Sequence, residues 1–233
     1  MSDILCTICA RGGSKGVKNK NIRPIAGIPL IAHTINQAKS CGLFEHIVIS
    51  TDSDEIARTA QDYGAEVFFK RDSSLASDTA GKLPAIRDAL LKSQEHYGRK
   101  FDYIIDLDAT SPLRLPSDIG AAFEQFMRDD NDILITATPS HRSPYFNLIE
   151  CQSDGSINLS KPLPSQILRR QDAPQTYDMN ASIYIWKSPI LLSCDTLFTP
   201  KTGLYVMPPE RSIDIDSELD FAIVEYILRG LNG

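Results

Sequence analysis

The chain has 233 residues, 42% hydrophobic and 23% charged, the balance of a globular protein able to bury one sizeable core. Its formal net charge of −6 argues against general nucleic-acid binding, and no apolar run reaches the length that spans a bilayer. The opening residues lack the basic-then-apolar order of a signal peptide, so a cytoplasmic protein is expected.

The first stretch, ILCTIC, reads as a buried parallel strand, and it turns at once into glycine and positive charge. Gly12, Gly13 and Gly16 permit positive φ and close approach to a ligand, and consecutive N–H groups in such a loop can cradle an anion. Arg11, Lys15, Lys18 and Lys20 add partners for phosphate oxygens, so the loop reads as a polyphosphate site. It contains neither a G-x-x-x-x-G-K-[ST] loop nor a G-x-G-x-x-G fingerprint. Cys6 and Cys9 fall inside the first strand and no second pair with zinc spacing follows, so they read as buried free thiols.

A helix with apolar positions Leu30, Ile31, Ile35 and Ala38 is stopped by Gly42, and HIVIS is the second strand. A helix capped within 51–55 runs to about Tyr63, Gly64 ends it, and 65–69 reads as a third strand. His33 and His46 have no other candidate ligand nearby in sequence and read as structural. The βαβαβ order predicts a parallel sheet with right-handed crossovers. A helix spans about Lys82 to Tyr97, and 102–108 is an apolar fourth strand on which Asp106 and Asp108 share one face. Ser117 is expected to cap the next helix, and 132–139 is the fifth strand. Residues 140–179 lack helical periodicity and carry a hairpin signal at Asp154-Gly155, so they read as a β-hairpin arm suited to a partner subunit. Strands at 181–186 and 204–207 and an amphipathic helix close the chain.

In S-I-D-I-D, Asp214 and Asp216 are two apart, so an extended backbone puts both carboxylates on one side and Ile213 and Ile215 toward the core. Such a pair can hold one divalent cation; alternatively Asp216 caps the last helix.

The pattern A-R-x-x-S-K-G-x-x-x-K-N, at Ala10, Arg11, Ser14, Lys15, Gly16, Lys20 and Asn21, resembles the signature of the cytidylyltransferases that activate sialic acid and related nine-carbon keto acids as CMP-sugars. R-x-x-x-L-A-S-D-T at Arg71 to Thr79, T-S-P-L-R at Thr110 to Arg114 and the I-D-I-D segment extend the resemblance over nearly the whole chain. It implies one α/β domain over 1–233, with a Rossmann-like, mostly parallel sheet flanked by helices. The arm at 140–179 is implied to reach across a homodimer.

The implied reaction is attack of a nine-carbon 2-keto-3-deoxy sugar acid on CTP, releasing pyrophosphate. Catalytic roles are implied for Arg11, Lys15, Lys20 and Asp214, with Mg2+ or Mn2+ held by Asp214 and Asp216. Substrate contacts are implied for Ser14, Asn21, Arg71, Ala80, Asp108, Arg170, Asn180, Tyr184 and Phe198. The alternatives are an eight-carbon keto-deoxy acid (3-deoxy-manno-octulosonate) cytidylyltransferase and a non-catalytic nucleotide-sugar binding protein. The sialic-acid enzymes carry glutamine where Asp108 stands, and KLPAIRDAL with DLDATSPLR is closer to the legionaminic acid branch. A carboxylate accepts from an amide N–H, and its charge beside an acid substrate must be offset by a donor on the sugar or by a nearby cation such as Arg114 or Arg170. A diacylamino acid is therefore expected to be preferred over N-acetylneuraminic acid.

Overall fold

The computed structural model describes residues 3–14, 16–77, 81–165 and 167–231. β1 (Ile4–Cys9) leads into the glycine loop, a small hairpin of β2 (Pro24–Ile25) and β3 (Ile28–Pro29), and α1 (Leu30–Ser40). β4 (His46–Ser50), α2 (Asp54–Asp62), α3 (Lys82–Tyr97), β5 (Tyr103–Leu107) and α4 (Pro116–Arg128) follow. β6 (Ile133–Pro139) precedes an outlying hairpin, β7 (Ile149–Cys151) with β8 (Ile157–Leu159). β9 (Tyr177–Lys187), α5 (Ser188–Ser193), β10 (Thr202–Val206) and α6 (Glu218–Leu231) complete the chain.

The main sheet has the order β10-β6-β9-β5-β1-β4. β4, β1 and β5 run parallel, as do β10 and β6, while β9 lies antiparallel between β5 and β6. Its inner strands are apolar on both faces because both are covered. Cys6, Ile8, Ile49, Ile105 and Leu107 pack with α1, α2 and α4, whereas Leu5, Val48, Ile104 and Trp186 pack with α3 and α5. Each fully buried Ile or Leu adds about 1.5–3 kcal/mol of apolar transfer free energy, which makes this two-sided burial the main force fixing strand order. The connection from β1 goes outward to β4 and then returns past β1 to β5, so the strand order reverses between β1 and β5, where open α/β sheets form ligand crevices.

Three expectations need correction. Residues 65–69 form only a single bridge, Val48 with Glu66, because the chain then turns to pack Phe68 on His96 (ring centroids 4.0 Å apart). α4 begins at Pro116, whose fixed φ suits the first helical position, so Ser117 is not the cap; Asp118 Oδ2 accepts from the Leu115 N–H instead (2.9 Å). The arm ends before 179, since Tyr177 to Met179 already pair with β6. There the register shifts between Ile135 and Ala137, opposite Ala181 at φ +52, a bulge that turns the start of β9 away from the rest of the strand.

Candidate active site

The cleft opens at the carboxyl edge of the sheet, beside the β1/β5 reversal, with a volume of about 380 Å³. Three chain segments build it: the glycine loop after β1, residues 108–110 after β5, and residues 214–216 ahead of α6. It gathers Arg11, Ser14, Lys20, Asn21, Asp108, Asp214 and Asp216, together with Cys9, Gly16 and Thr110.

The loop and the acidic segment are fastened from beneath by apolar side chains. Val17 and Ile215 are buried in one cluster with Phe221, Val224 and Leu228 of α6. Gly16 approaches so closely that a Cβ there would fall on the Asp216 carbonyl oxygen, whereas of the glycines at 12, 13 and 16 Gly13 is the one with positive φ (+68°). The Gly12 N–H is not open to an anion: it donates to Asp52 Oδ1 at 2.8 Å and braces the loop. Asn21 Nδ2 donates to the Arg11 carbonyl (3.1 Å), and Arg11 reaches the Ala76 carbonyl at 3.5 Å.

The acidic segment keeps the expected alternation although it pairs with no strand: Ile215 is fully buried, Ile213 partly so, and Asp216 is 80% exposed. Asp216 does not cap α6. Ser217 and Asp220 do, through Ser217 N–H to Asp220 Oδ2 (2.8 Å) and Asp220 N–H to Ser217 Oγ (3.2 Å). The Lys20 ammonium lies 3.3 Å from Asp216 Oδ1 and also donates to the Ile215 carbonyl. Asp214 is pushed up to about 6 by burial first and by the charge of Asp108 next, against a lowering bond from Thr110. Its Oδ1 is buried with no hydrogen-bond partner among the described residues. An orphaned buried carboxylate oxygen beside a second, exposed carboxylate fits a divalent cation that takes its remaining ligands from phosphate and water.

Asp108 is held on both oxygens. Oδ1 accepts from the Thr110 N–H (3.1 Å) and Oγ–H (2.8 Å), and Oδ2 pairs with Lys82 at 2.7 Å. Burial alone would raise this carboxyl, but Lys82 and Thr110 outweigh it and bring it down to about 2. The offsetting cation is thus Lys82, not Arg114 or Arg170. Arg114 is buried and donates to Ser182, Thr34 and Gln37, meeting only the backbone carbonyl of Asp108. Arg170 lies at the base of the arm and donates to the Ser140 carbonyl (2.7 Å). The Cys9 thiol is pushed up to about 12 by burial and then by Asp106, so it is an inert wall of the cleft.

Six other expected residues stand apart from the cleft or beyond the described chain. Arg71 is buried against the end of β4, donating to Ser50 Oγ (2.9 Å) and to the Ser50 carbonyl. Asn180 is buried at the bulge, bonded to Thr136 Oγ1 (2.7 Å) and Ser212 Oγ (3.0 Å). Tyr184 lines a neighbouring apolar cavity, and Phe198, 65% exposed, does not line the cleft. Lys15 and Ala80 lie outside the described residues. The residue sequence reasoning missed is Lys82. Its only signal was the coincidence of KLPAIRDAL with DLDATSPLR, two strings that the fold brings into contact.

A cytidylyltransferase family model matches residues 5–207. Post-translational flagellin modification protein B of Campylobacter coli is 58% identical over 232 residues, spanning 100% of this chain and 97% of that protein. CMP-N,N'-diacetyllegionaminic acid synthase of Campylobacter jejuni is 57% identical over 228 residues, spanning 98% and 96%. Among solved structures, the CMP:2-keto-3-deoxy-manno-octonic acid synthetase complexed with CTP shares the fold, with a TM-score of 0.71 at 15% identity over 99% of this chain and 100% of that one. The chain belongs to the cytidylyltransferase family. It is a CTP-dependent nucleotidyltransferase.

Proposed function

We propose that this protein activates a nine-carbon 2-keto-3-deoxy sugar acid with CTP, giving the CMP-sugar and pyrophosphate, and that its preferred acid is the diacylamino, legionaminic type. One observation carries the reading: Arg11 and Lys20 line one cleft together with Asp108, Asp214 and Asp216. The 57% identity to a CMP-N,N'-diacetyllegionaminic acid synthase supports the choice of acid.

The anomeric hydroxyl attacks the α-phosphorus of CTP, and the α–β bridging oxygen leaves with pyrophosphate. Arg11 and Lys20 hold the phosphate oxygens and stabilise charge as it builds up in the transition state; Lys15 joins them by its place in the signature. Asp214 and Asp216 hold Mg2+ or Mn2+. When bound, that ion supplies Lewis-acid neutralisation of phosphate charge and lowers the pKa of the attacking hydroxyl. Lys20, already paired with Asp216, keeps the acidic segment beside the loop and the two halves of the site in register. The enzyme acts in the cytoplasm as a homodimer whose arms, at 140–176, carry Arg170 toward the partner's site.

The test is pyrophosphate release with CTP and a panel of keto sugar acids at fixed magnesium. Turnover with kcat/KM highest for the diacetylated acid is expected. A preference for N-acetylneuraminic acid overturns the legionaminic assignment, and a preference for the eight-carbon acid overturns the nine-carbon one.

A further inference from the structure

The Lys82–Asp108 ion pair lies where two cavities meet. Asp108 lines the polar cleft, whereas Lys82 lines the apolar cavity of about 340 Å³ beside it, with Tyr184, Trp186 and Leu197. Lys82 is the first residue of α3, and its stem carries the ammonium back over the end of β5. Nζ stands 2.7 Å from Asp108 Oδ2 and 2.9 Å from Asp106 Oδ2, and 4.9 Å from the centre of the Tyr184 ring.

This is not the setting of a solvated surface charge. Asp106 is fully buried and takes a hydrogen bond from Thr7 Oγ1 at 2.8 Å, so Lys82 balances a carboxylate inside the sheet as well as one in the cleft. A buried carboxylate is strongly disfavoured without such a partner. Yet the Lys82 side chain remains 31% exposed. An ammonium has three N–H donors; among the described residues one is hydrogen-bonded, to Asp108, while Asp106 Oδ2 is paired by charge at 2.9 Å without a hydrogen bond. Among the described residues a donor is therefore open to a ligand at the meeting of a polar and an apolar cavity.

We propose that Lys82 is a specificity-determining residue. It offsets Asp108 so that a carboxylate can face an anionic substrate, and it donates an open N–H to an acyl carbonyl oxygen on the sugar acid. The proposal rests on the sugar-acid reading above. Its chemistry is that of an acylamino substituent: a strong neutral acceptor for the ammonium, with an apolar end suited to the walls formed by Tyr184, Trp186 and Leu197. Asp108, already charge-compensated, is then free to accept from a donor elsewhere on the same sugar.

The experiment measures pyrophosphate release by the full chain, varying CTP and the diacetylated acid separately, in parent, Lys82→Met, Lys82→Arg, and Asp106→Asn/Asp108→Asn with and without Lys82→Met. Turnover by the parent tests the sugar-acid reading on its own; no turnover with any acid overturns that reading and this proposal with it. If the parent turns over, Lys82→Met is expected to raise KM for the sugar acid by about tenfold to a hundredfold, the range of one hydrogen bond to a charged group. KM for CTP should stay near the parent value, and Lys82→Arg should recover part of the loss. An unchanged sugar KM, or an equal rise for CTP, overturns the assignment. Lys82→Met leaves both Asp106 and Asp108 without their cation, so if it fails to fold, the comparison of Lys82→Met/Asp106→Asn/Asp108→Asn with Asp106→Asn/Asp108→Asn is the decisive one. A sugar KM higher with Lys82→Met present than without it supports the donor role. Equal values show that Lys82 is only a countercharge and overturn the donor role.

Discussion

Asp108 and Asp214 share one cleft and titrate in opposite directions. Asp108, lowered to about 2 despite its burial, contributes stability that is present above the unfolded carboxylate value of about 3.9 and lost as pH falls through 2. Asp214, raised to about 6 by burial and then by Asp108, binds its proton more tightly folded than unfolded. Its contribution is therefore complete below about pH 4 and lost as pH rises through 6, which leaves a destabilising charge at neutrality. Asp214→Asn is expected to stabilise the metal-free protein at pH 7 by up to about 3 kcal/mol while abolishing pyrophosphate release. Thermal melts in chelator should show the midpoint rise, and an unchanged midpoint would count against a buried charge at this position. Lys20→Ala should reduce kcat/KM by about 2–4 kcal/mol, the scale of one pre-organised charge-stabilising donor; an unaltered kcat/KM would reduce Lys20 to a brace for Asp216. At this scale residue type was legible and side-chain direction was not. Arg11, Lys20 and the two late aspartates announced phosphate and cation chemistry by identity and spacing. Arg71 and Arg114 carry the same charge, but the fold spends them on buried hydroxyl, amide and carbonyl oxygens, which no spacing reveals.

The elements that make the site are a loop and an irregular segment joined where Gly16 meets Asp216. A methyl group at 16 would press on backbone rather than on a flexible side chain, so it would push the phosphate loop away from the carboxylates. Gly16→Ala is expected to lower kcat/KM by about a hundredfold, the effect of a displacement near 1 Å, with the circular dichroism spectrum retained. Full activity would mean that the two segments move independently. The arm belongs to the same scale. Leu148, Ile149, Ile157 and Leu168 are all exposed on it, an apolar surface on a two-stranded hairpin too small to stand alone. Excising 144–173 with a short linker, which spares β9, should give a monomer in sedimentation velocity with activity lost. A fully active monomer would remove the arm from the mechanism. The hairpin itself was legible from Asp154-Gly155, where Gly155 takes φ +83. The true end of the arm was not, because the polar start of β9, Tyr177 to Met179, gives no apolar run to read.

For the whole molecule, the alternation of apolar runs with amphipathic helices prescribed the parallel half of the sheet, and the three core clusters follow from it. The position of β9 was not legible, since the sequence of a strand buried on both faces does not encode which neighbours it takes. That position has a consequence for how the chain comes off the ribosome. β9 sits between β5 and β6, yet it is synthesised after both. Until residue 187 has emerged, the first half of the sheet ends at an open β5 edge, and β6 has no partner strand at all. Nascent chains halted anywhere before Tyr177 would present unpaired strand edges to one another, which is the state most prone to association. The last third of the sequence is therefore what closes the sheet, and the window between β6 and β9, filled by the arm, is the interval in which this protein depends most on being kept apart from its neighbours.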